Sequence, residues 1–353
     1  MARNITFGII GRVRESLCDG QTIKTKNLVE ELKKNYPDCK VLIAESDICK
    51  RHPFRMLGQM FSCLKYADVI FVLLSINGVR MLLPVLFFMN RFYKKPIIHD
   101  CIGGVQDKNI RKYPYLKKYY AKMVVNWVET AQLKQRLQNE GLQNVEVLPN
   151  FKNIVPISSG ELSLKNVPPF RFCTFSRVNE AKGIGRAAEA VLAINRKAGT
   201  QVAQLHVYGP IEENYDAVLD AYIRESCGAI HYCGVAKPEE SVEILKDYFV
   251  LLFPTTFSGE GFPGTLIDAL SAGLPVIATD WHCNGEIIDH EKTGFLYHPD
   301  FPEQLETWMT YAIENPTVIH SMGKQCLETV KQYSPETVMK TVCKKIDGLI
   351  DRN

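Results

Sequence analysis

Short apolar runs alternate with amphipathic helical stretches along nearly the whole chain, and this alternation limits the architecture more than any other feature. Residues 5–10 (ITFGII) read as a buried strand, a loop holding Gly11 and Gly20 follows, and a helix over 22–36 places Ile23, Leu28 and Leu32 inward. The pattern repeats with strands near 40–44, 68–74, 96–101, 124–128 and 145–148, separated by helices near 54–66, 79–92, 113–122 and 130–140. Runs rich in Val, Ile and Phe without polar alternation suit strands buried on both faces, so a parallel sheet covered by helices is expected. Residues 151–169, rich in Pro, Ser, Asn and Gly, read as a linker. A second series then begins, with strands at 170–176, 203–208, 229–233, 249–253 and 275–279 and helices near 183–198, 213–226, 238–246 and 264–272. Short elements at 286–289 and 294–297 close it. The predicted organisation is α/β, with two facing doubly wound, Rossmann-like domains at 1–150 and 170–333 and a final helix at 334–353 that runs back to the first domain.

The chain has 353 residues, 46% of them hydrophobic and 23% charged, which is too long for one core of ordinary size. No run of 18 apolar residues occurs, and MARNITFGIIGR lacks the pattern of a signal peptide, so a cytoplasmic protein is expected. The eleven cysteines include no C-x-x-C pair, and Cys101, Cys173 and Cys233 sit in apolar runs, which suits packed thiols better than disulfides or zinc. No metal site is expected. The net charge of +3 divides unevenly, with +11 over residues 1–150 and −8 over 151–353. A basic half points to an anionic partner surface.

The stretch 257–280 (FSGEGFPGTLIDALSAGLPVIATD) carries the strongest chemical signal. Gly259, Gly261 and Gly264, with Pro263 among them, bring bare backbone N–H groups of the glycines to the first turn of a helix, where unpaired donors and the helix dipole favour a phosphate. Glu260 and Asp268 flank the loop and suit sugar hydroxyls. Such turns also occur in doubly wound sheets for tight packing alone, so the neighbours decide. In a parallel sheet ligands lie beyond the carboxyl ends of the strands, so Arg177, Lys182 and the 259–264 loop are expected to converge there. Two cations and a helix terminus neutralise a pyrophosphate and stabilise the charge it gains on leaving. The alternative for Arg177 and Lys182 is a solvated pair on a loop. Gly209 and Gly234 follow strand ends where a base or ribose can approach the backbone, although turns need glycine anyway.

Taken in order, Arg177, Lys182-Gly183, Gly209, Gly234, the run from Glu260-Gly261-Phe262-Pro263 through Asp268-Ala269 to Gly273-Leu274-Pro275, and Gly294-Phe295-Leu296 resemble the retaining nucleotide-sugar glycosyltransferases of family 4, which have the GT-B fold. The resemblance is close over 170–300 and holds only in outline before that, through Gly20 ahead of a helix and Val147-Leu148-Pro149-Asn150. It implies a hexosyltransferase with Arg177, Lys182 and Glu260 as catalytic residues, the cations on the diphosphate and Glu260 on the transferred sugar. Donor contacts would come from Gly20, Gly209, Gly234 and Gly261, from the amides of Phe262, Pro263, Gly264 and Thr265, and from Asp268 on the ribose. The base would meet backbone near Val235 and Ala236. No cofactor is implied beyond the nucleotide diphosphate sugar itself, with UDP-sugars expected by family habit. The acceptor would be a glycan, carried on a lipid, in cell-surface polysaccharide biosynthesis. An epimerase of the same fold and a non-catalytic nucleotide-sugar-binding subunit are the competing readings.

This chain departs from the family at two points. Asp268 stands where the family usually has Glu, and its shorter arm can still hold a ribose diol. In the first domain the family often carries a His just past the fourth strand, whereas here His99 falls inside the strand and Gly103-Gly104 follow. His99 reads first as a packed core residue, and second, with Asp100, Gly103 and Gly104, as a candidate for the sugar-transfer point. One further stretch stands out: residues 108–122 (KNIRKYPYLKKYYAK) interleave cations with tyrosines, which suits the headgroups of an anionic membrane and a peripheral position at the inner membrane face. A solvated helix face is the competing reading. The neighbouring 81–89 run could add an apolar anchor, but reads first as a helix buried against the sheet. Without a recognised binding module, no nucleic-acid partner is expected.

Overall fold

The computed structural model describes residues 5–14 and 20–351. Residues 1–4, the 15–19 part of the loop ahead of Gly20, and residues 352–353 of the predicted final segment lie outside the described residues. The chain divides into two compact units, residues 1–153 with 333–353, and residues 154–332.

In the first unit the strands are β1 (Thr6–Gly11), β2 (Lys40–Glu45), β3 (Val69–Val72), β4 (Ile97–Asp100), β5 (Val125–Val128) and β6 (Val145–Val147). They form one sheet in the order β2-β1-β3-β4-β5-β6, with every pair parallel. Its helices are α1 (Gly20–Asn35), α2 (Pro53–Tyr66), α3 (Ile76–Tyr93), α4 (Gln106–Lys112), α5 (Lys117–Tyr120) and α6 (Ala131–Asn139). Successive strand residues point to opposite faces, and both faces are covered. Ile10, Ile70 and Val72 pack with Met60 of α2 and Leu83 of α3, whereas Phe7, Ile9, Phe71 and Trp127 pack with Leu28 and Leu32 of α1. That two-sided burial is why these strands read as unbroken apolar runs.

Over 113–122, expected as a single helix, the chain instead forms a short 3₁₀ turn at Pro114–Leu116 and α5, while α4 ends just before it at Lys112. Pro114 is the reason, since it has no N–H to continue α4 and biases Tyr113 away from helical geometry.

The second unit holds β7 (Phe170–Phe175), β8 (Ala203–Tyr208), β9 (Ile230–Tyr232), β10 (Val250–Phe253), β11 (Val276–Thr279) and β12 (Gly294–Tyr297). Their order is β12-β11-β10-β7-β8-β9, again all parallel. The helices are α7 (Ile184–Ala198), α8 (Asp216–Glu225), α9 (Ser241–Leu245), α10 (Gly264–Ser271), α11 (Asn284–Ile287), α12 (Gln304–Glu314) and α13 (Pro316–Thr329). The core joins Phe172, Leu205, Val207, Leu252 and Ile277 of the sheet to Ile184, Ala187 and Val191 of α7. Residues 154–169, expected as a free linker, are held by this unit. Ile157 is buried and its N–H donates to the Ser271 carbonyl (2.9 Å), while Lys165 Nζ donates to the Lys246 carbonyl (2.7 Å).

The last helix, α14 (Pro335–Ile350), returns to the first unit. Ser334 caps it by accepting from the Thr337 N–H, and Pro335 sits at the first turn where its missing donor costs nothing. Val338, Val342 and Ile346 recur at helical spacing and join the Phe7 face of the core. Tyr36 Oη donates to Asp347 (2.8 Å) and Lys345 pairs with Glu146 (2.6 Å) at the edges of that contact. Ten cysteines among the described residues are free, and Cys101 and Cys173 are buried as expected, but Cys233 is exposed because it lies just beyond β9 rather than in it.

Candidate functional site

In the second sheet the chain runs outward from β7 in both directions, through β8 and β9 on one side and β10 to β12 on the other. The loops after β7 and β10 therefore diverge from adjacent strands, and a crevice opens between them at the point where strand order reverses. Ser176 and Arg177 follow β7, and residues 254–263 follow β10.

The two loops are tied together by backbone. The Thr256 N–H donates to the Ala181 carbonyl (2.8 Å), and Arg186 from α7 donates to the Pro254 carbonyl and to Thr256 Oγ1 (3.2 Å each). Gly183 makes this approach feasible. It lies at φ +75°, and a Cβ there would collide with the Pro254 carbonyl. Gly209 has an analogous role, at φ +134° with the Ser176 carbonyl against the space a Cβ would fill. The glycine after β8 is thus required by the strand beside it, whatever else approaches. Gly234, at φ +79°, has open space around it, and its carbonyl accepts from the Gly209 N–H (2.9 Å).

Lys182 ends a short 3₁₀ turn capped by Asn179, whose side chain accepts from the Lys182 N–H (2.8 Å). Its ammonium is buried and pairs with Glu260 Oε2 at 2.6 Å, and Thr255 Oγ1 donates to the same oxygen (3.0 Å). The solvated-pair alternative therefore does not describe Lys182. Arg177 is half-exposed and pairs with Glu212 (2.8 Å). The ring of Phe257 lies between the two cations, 5.2 Å from the Arg177 guanidinium and 5.2 Å from the Lys182 ammonium. An aromatic face attracts cations through its quadrupole, by about 0.5–1 kcal/mol at exposed sites, and here it keeps two like charges beside one another. Trp281 Nε1 donates to the Phe257 carbonyl (2.9 Å) and fixes the loop.

Helix α10 begins after Pro263, which offers no side-chain cap, and the Leu266 N–H of its first turn donates to the Pro263 carbonyl (3.0 Å). Thr265 Oγ1, in that turn, is buried and has no hydrogen-bond partner among the described residues. Lys182, Glu260 and Thr255 thus meet directly, Arg177 is joined to Lys182 through Phe257, and α10 starts shortly after Glu260 in the same loop. Phe262 is buried, as is Asp268, which points from α10 into packed surroundings rather than open solvent. Val235 is exposed and Ala236 is half-buried, both on the loop beyond β9.

Sequence reasoning named Arg177, Lys182 and Glu260 but missed Phe257, Thr255, Asn179 and Glu212. Phe257 opens the stretch already singled out and Thr255 lies two residues ahead of it, and an Asn three residues before Lys182 is a recognisable cap signal. Glu212 carries no local signal, because its partner lies 35 positions away.

In the first unit, the candidates for the sugar-transfer point are tied into packing. His99 is fully buried, its Nδ1 faces Asn126 Oδ1 (3.0 Å), and Asn126 Nδ2 donates to the Tyr120 carbonyl (3.0 Å). The amide oxygen therefore accepts from a protonated Nδ1. Asp100 is buried beside Lys24 of α1 at 2.6 Å, and Lys24 also pairs with Glu129 (2.9 Å). Asp100 is thereby corrected from an open candidate to half of a buried ion pair, the reason being its place at the end of a central strand under α1. Gly103 lies at φ +84° with open space around it, and the Gly104 carbonyl accepts from Arg136 (2.7 Å). Gly20 opens α1 and is exposed.

Burial lowers the His99 pKa from 6.5 to about 4, and the Lys24 charge acts in the same direction against the hydrogen bond to Asn126. As pH falls below 6.5 the unfolded chain takes up this proton and the folded one does not, so stability is lost between pH 6.5 and about 4. The total is at most about 3 kcal/mol. Urea unfolding across that range should show a shallower acid limb for His99→Gln, and an unchanged slope would remove His99 from this account.

Comparison with known proteins agrees with the geometry. Residues 169–315 match the family model described as glycosyl transferases group 1. The amylovoran biosynthesis glycosyltransferase AmsK of Erwinia amylovora is 27% identical over 132 residues, covering 36% of this chain and 32% of that protein. The match thus spans about a third of that relative's length. Among solved structures, HepE of Anabaena in complex with UDP-glucose aligns with a TM-score of 0.75 at 13% identity, over 98% of this chain and 100% of that one. Sucrose-phosphate synthase from Thermosynechococcus elongatus aligns at 0.77 and 15% identity, over 99% and 100% of the two chains. The chain has the α/β GT-B fold, and the resemblance to GT-B glycosyltransferases read from its sequence is borne out at that level.

Proposed function

We propose that the protein is a retaining glycosyltransferase of family 4 that moves a hexose from a nucleotide diphosphate sugar to a glycan acceptor carried on a lipid. The observation that carries this reading is the meeting of Lys182 with Glu260, and of Arg177 with Lys182 through Phe257, where the strand order of the second sheet reverses, with α10 starting shortly after Glu260. A UDP-sugar is the donor this reading favours, in line with the UDP-glucose bound by Anabaena HepE. Polysaccharide biosynthesis is the process it favours, in line with the name of the Erwinia relative.

In this mechanism the diphosphate lies at the first turn of α10, and Arg177 and Lys182 take the charge that grows on it as the bond from the anomeric carbon to phosphate breaks. Glu260 holds hydroxyls of the transferred sugar, and Asp268 the ribose. The acceptor oxygen bonds to the anomeric carbon on the same face, and its proton passes to the departing phosphate oxygen. The carboxylates of Glu212 and Glu260 hold the two cations until phosphate oxygens replace them. The cations of residues 108–122 add attraction toward the inner face of an anionic membrane, where a lipid-linked acceptor is presented.

A thermal-shift panel of nucleotide sugars tests the donor. A ligand at 100 times its Kd stabilises the native state by about 2.7 kcal/mol, so the true donor should raise Tm by a few degrees while other sugars do not. A flat response to every nucleotide sugar would sink the reading. Product analysis with donor alone then separates transfer from epimerisation, because only an epimerase changes the sugar without an acceptor.

A further inference from the structure

Helices α2 and α3 are apolar on two sides, and only one side of each is used by the core. On α2, Met56, Met60, Cys63 and Leu64 face inward. Phe54, Leu57 and Phe61 recur about once per turn on another side and are 86%, 37% and 44% exposed. On α3, Val79, Leu82, Leu83 and Leu86 face inward, whereas Met81, Phe88 and Phe92 are 55%, 69% and 74% exposed. The two helices touch where Phe61 of α2 meets Tyr93 of α3 edge to face at 5.8 Å, and within α3 Phe88 meets Phe92 at 6.3 Å. Several large exposed apolar side chains on two neighbouring helices mark an interaction site.

Charge decides the partner. Neither helix contains a single Asp or Glu, while Arg55, Lys65 and Arg91 lie on them and are exposed. Exposed Lys94 follows α3 directly, in a left-handed conformation that ends the helix. Apolar rings rimmed by cations with no acid between them fit a surface that is apolar in depth and anionic at its rim.

We propose that the α2–α3 face docks on an anionic lipid bilayer, with the phenylalanines entering the acyl boundary and Arg55, Lys65, Arg91 and Lys94 on headgroup phosphates. No helix among the described residues is long and apolar enough to cross a membrane, and this mode of attachment needs none. The purpose of docking rests on the lipid-linked acceptor proposed above, but the surface itself uses residues outside 108–122.

Flotation of the full chain with vesicles of phosphatidylcholine alone, or mixed with phosphatidylglycerol, tests it. The protein should float with the anionic vesicles and not the neutral ones. The pairs Phe54→Ser with Phe61→Ser, and Phe88→Ser with Phe92→Ser, should each weaken that binding by at least about tenfold. Their Tm and their thermal shift with the donor should be unchanged, because the replaced rings lie on the surface. Failure of the unaltered protein to float, or flotation of both variant pairs undiminished from the unaltered protein, overturns the proposal. So does a dimer in sedimentation that the variants dissolve, which would make the face a contact between copies. A third variant, Lys112→Glu with Lys118→Glu, separates the two membrane readings. If it alone abolishes flotation, the 108–122 segment is the contact and the α2–α3 face is not. Vesicle binding by a protein that turns over no nucleotide sugar would leave the docking surface standing while the catalytic reading fell.

Discussion

Lys182→Ala should lower kcat by about 10²–10³, the loss seen when one charge-stabilising donor is removed from a preorganised site. The ammonium is buried, held 2.6 Å from Glu260, and carried by the loop that follows β7. A cation with so little water around it acts in a weakly screened environment, so its contribution to a departing diphosphate exceeds that of a surface lysine. Arg177→Ala should fall in the same range, about 10²–10³, if it meets the same charge from the half-exposed side. Steady-state and single-turnover rates on the chosen donor check both, and near-normal rates in both single variants would overturn the assigned roles. Removing Lys182 also leaves the Glu260 carboxylate buried with Thr255 alone, which destabilises the loop. The double variant Lys182→Ala with Glu260→Gln separates the two effects. Stability should recover and the rate should not.

Lys24→Ala should destabilise the first unit by about 3–5 kcal/mol, the cost of leaving buried charge without its partner. Lys24 is buried between Asp100 at 2.6 Å and Glu129 at 2.9 Å. Burial opposes its charge, but the two carboxylates outweigh burial and hold its pKa above the ordinary lysine value. A raised lysine pKa contributes stability that is fully present below the unfolded value of about 10.4 and is lost only as pH rises through the folded value. The effect should therefore be undiminished across neutral pH in urea unfolding. A loss below about 1 kcal/mol would show that the pair is no better than a solvated one. The triple variant Lys24→Met, Asp100→Asn, Glu129→Gln should recover much of the stability, because no buried charge remains unpaired.

The strand and helix alternation was legible because burial on two faces leaves a local mark, an apolar run of four to six residues bounded by Gly or Pro. The loop at 257–264 was legible for a similar reason, since glycines before a helix are a signal confined to a few neighbours. The 113–122 helix failed at Pro114, where a basic and aromatic composition outweighed a breaker that was in plain view. His99 read correctly as a core residue, since it falls inside a strand behind Ile97 and Ile98.

Pairings across distance were not legible. Lys182 and Glu260 are 78 positions apart, and Lys24 reaches Asp100 and Glu129 only because α1 lies across the ends of β4 and β5. The outward phenylalanines of α2 and α3 look the same in sequence as the inward ones. Periodicity shows that a side chain is apolar, not whether anything covers it. By itself, then, the sequence determined which segments become strands and helices and which glycine-rich loop leads into a helix, because those follow from neighbours within a turn or two. The tertiary structure alone decided which strands lie side by side, and so which charges meet and which apolar faces stay bare. Those outcomes depend on contacts between residues far apart in the chain, which no local pattern encodes.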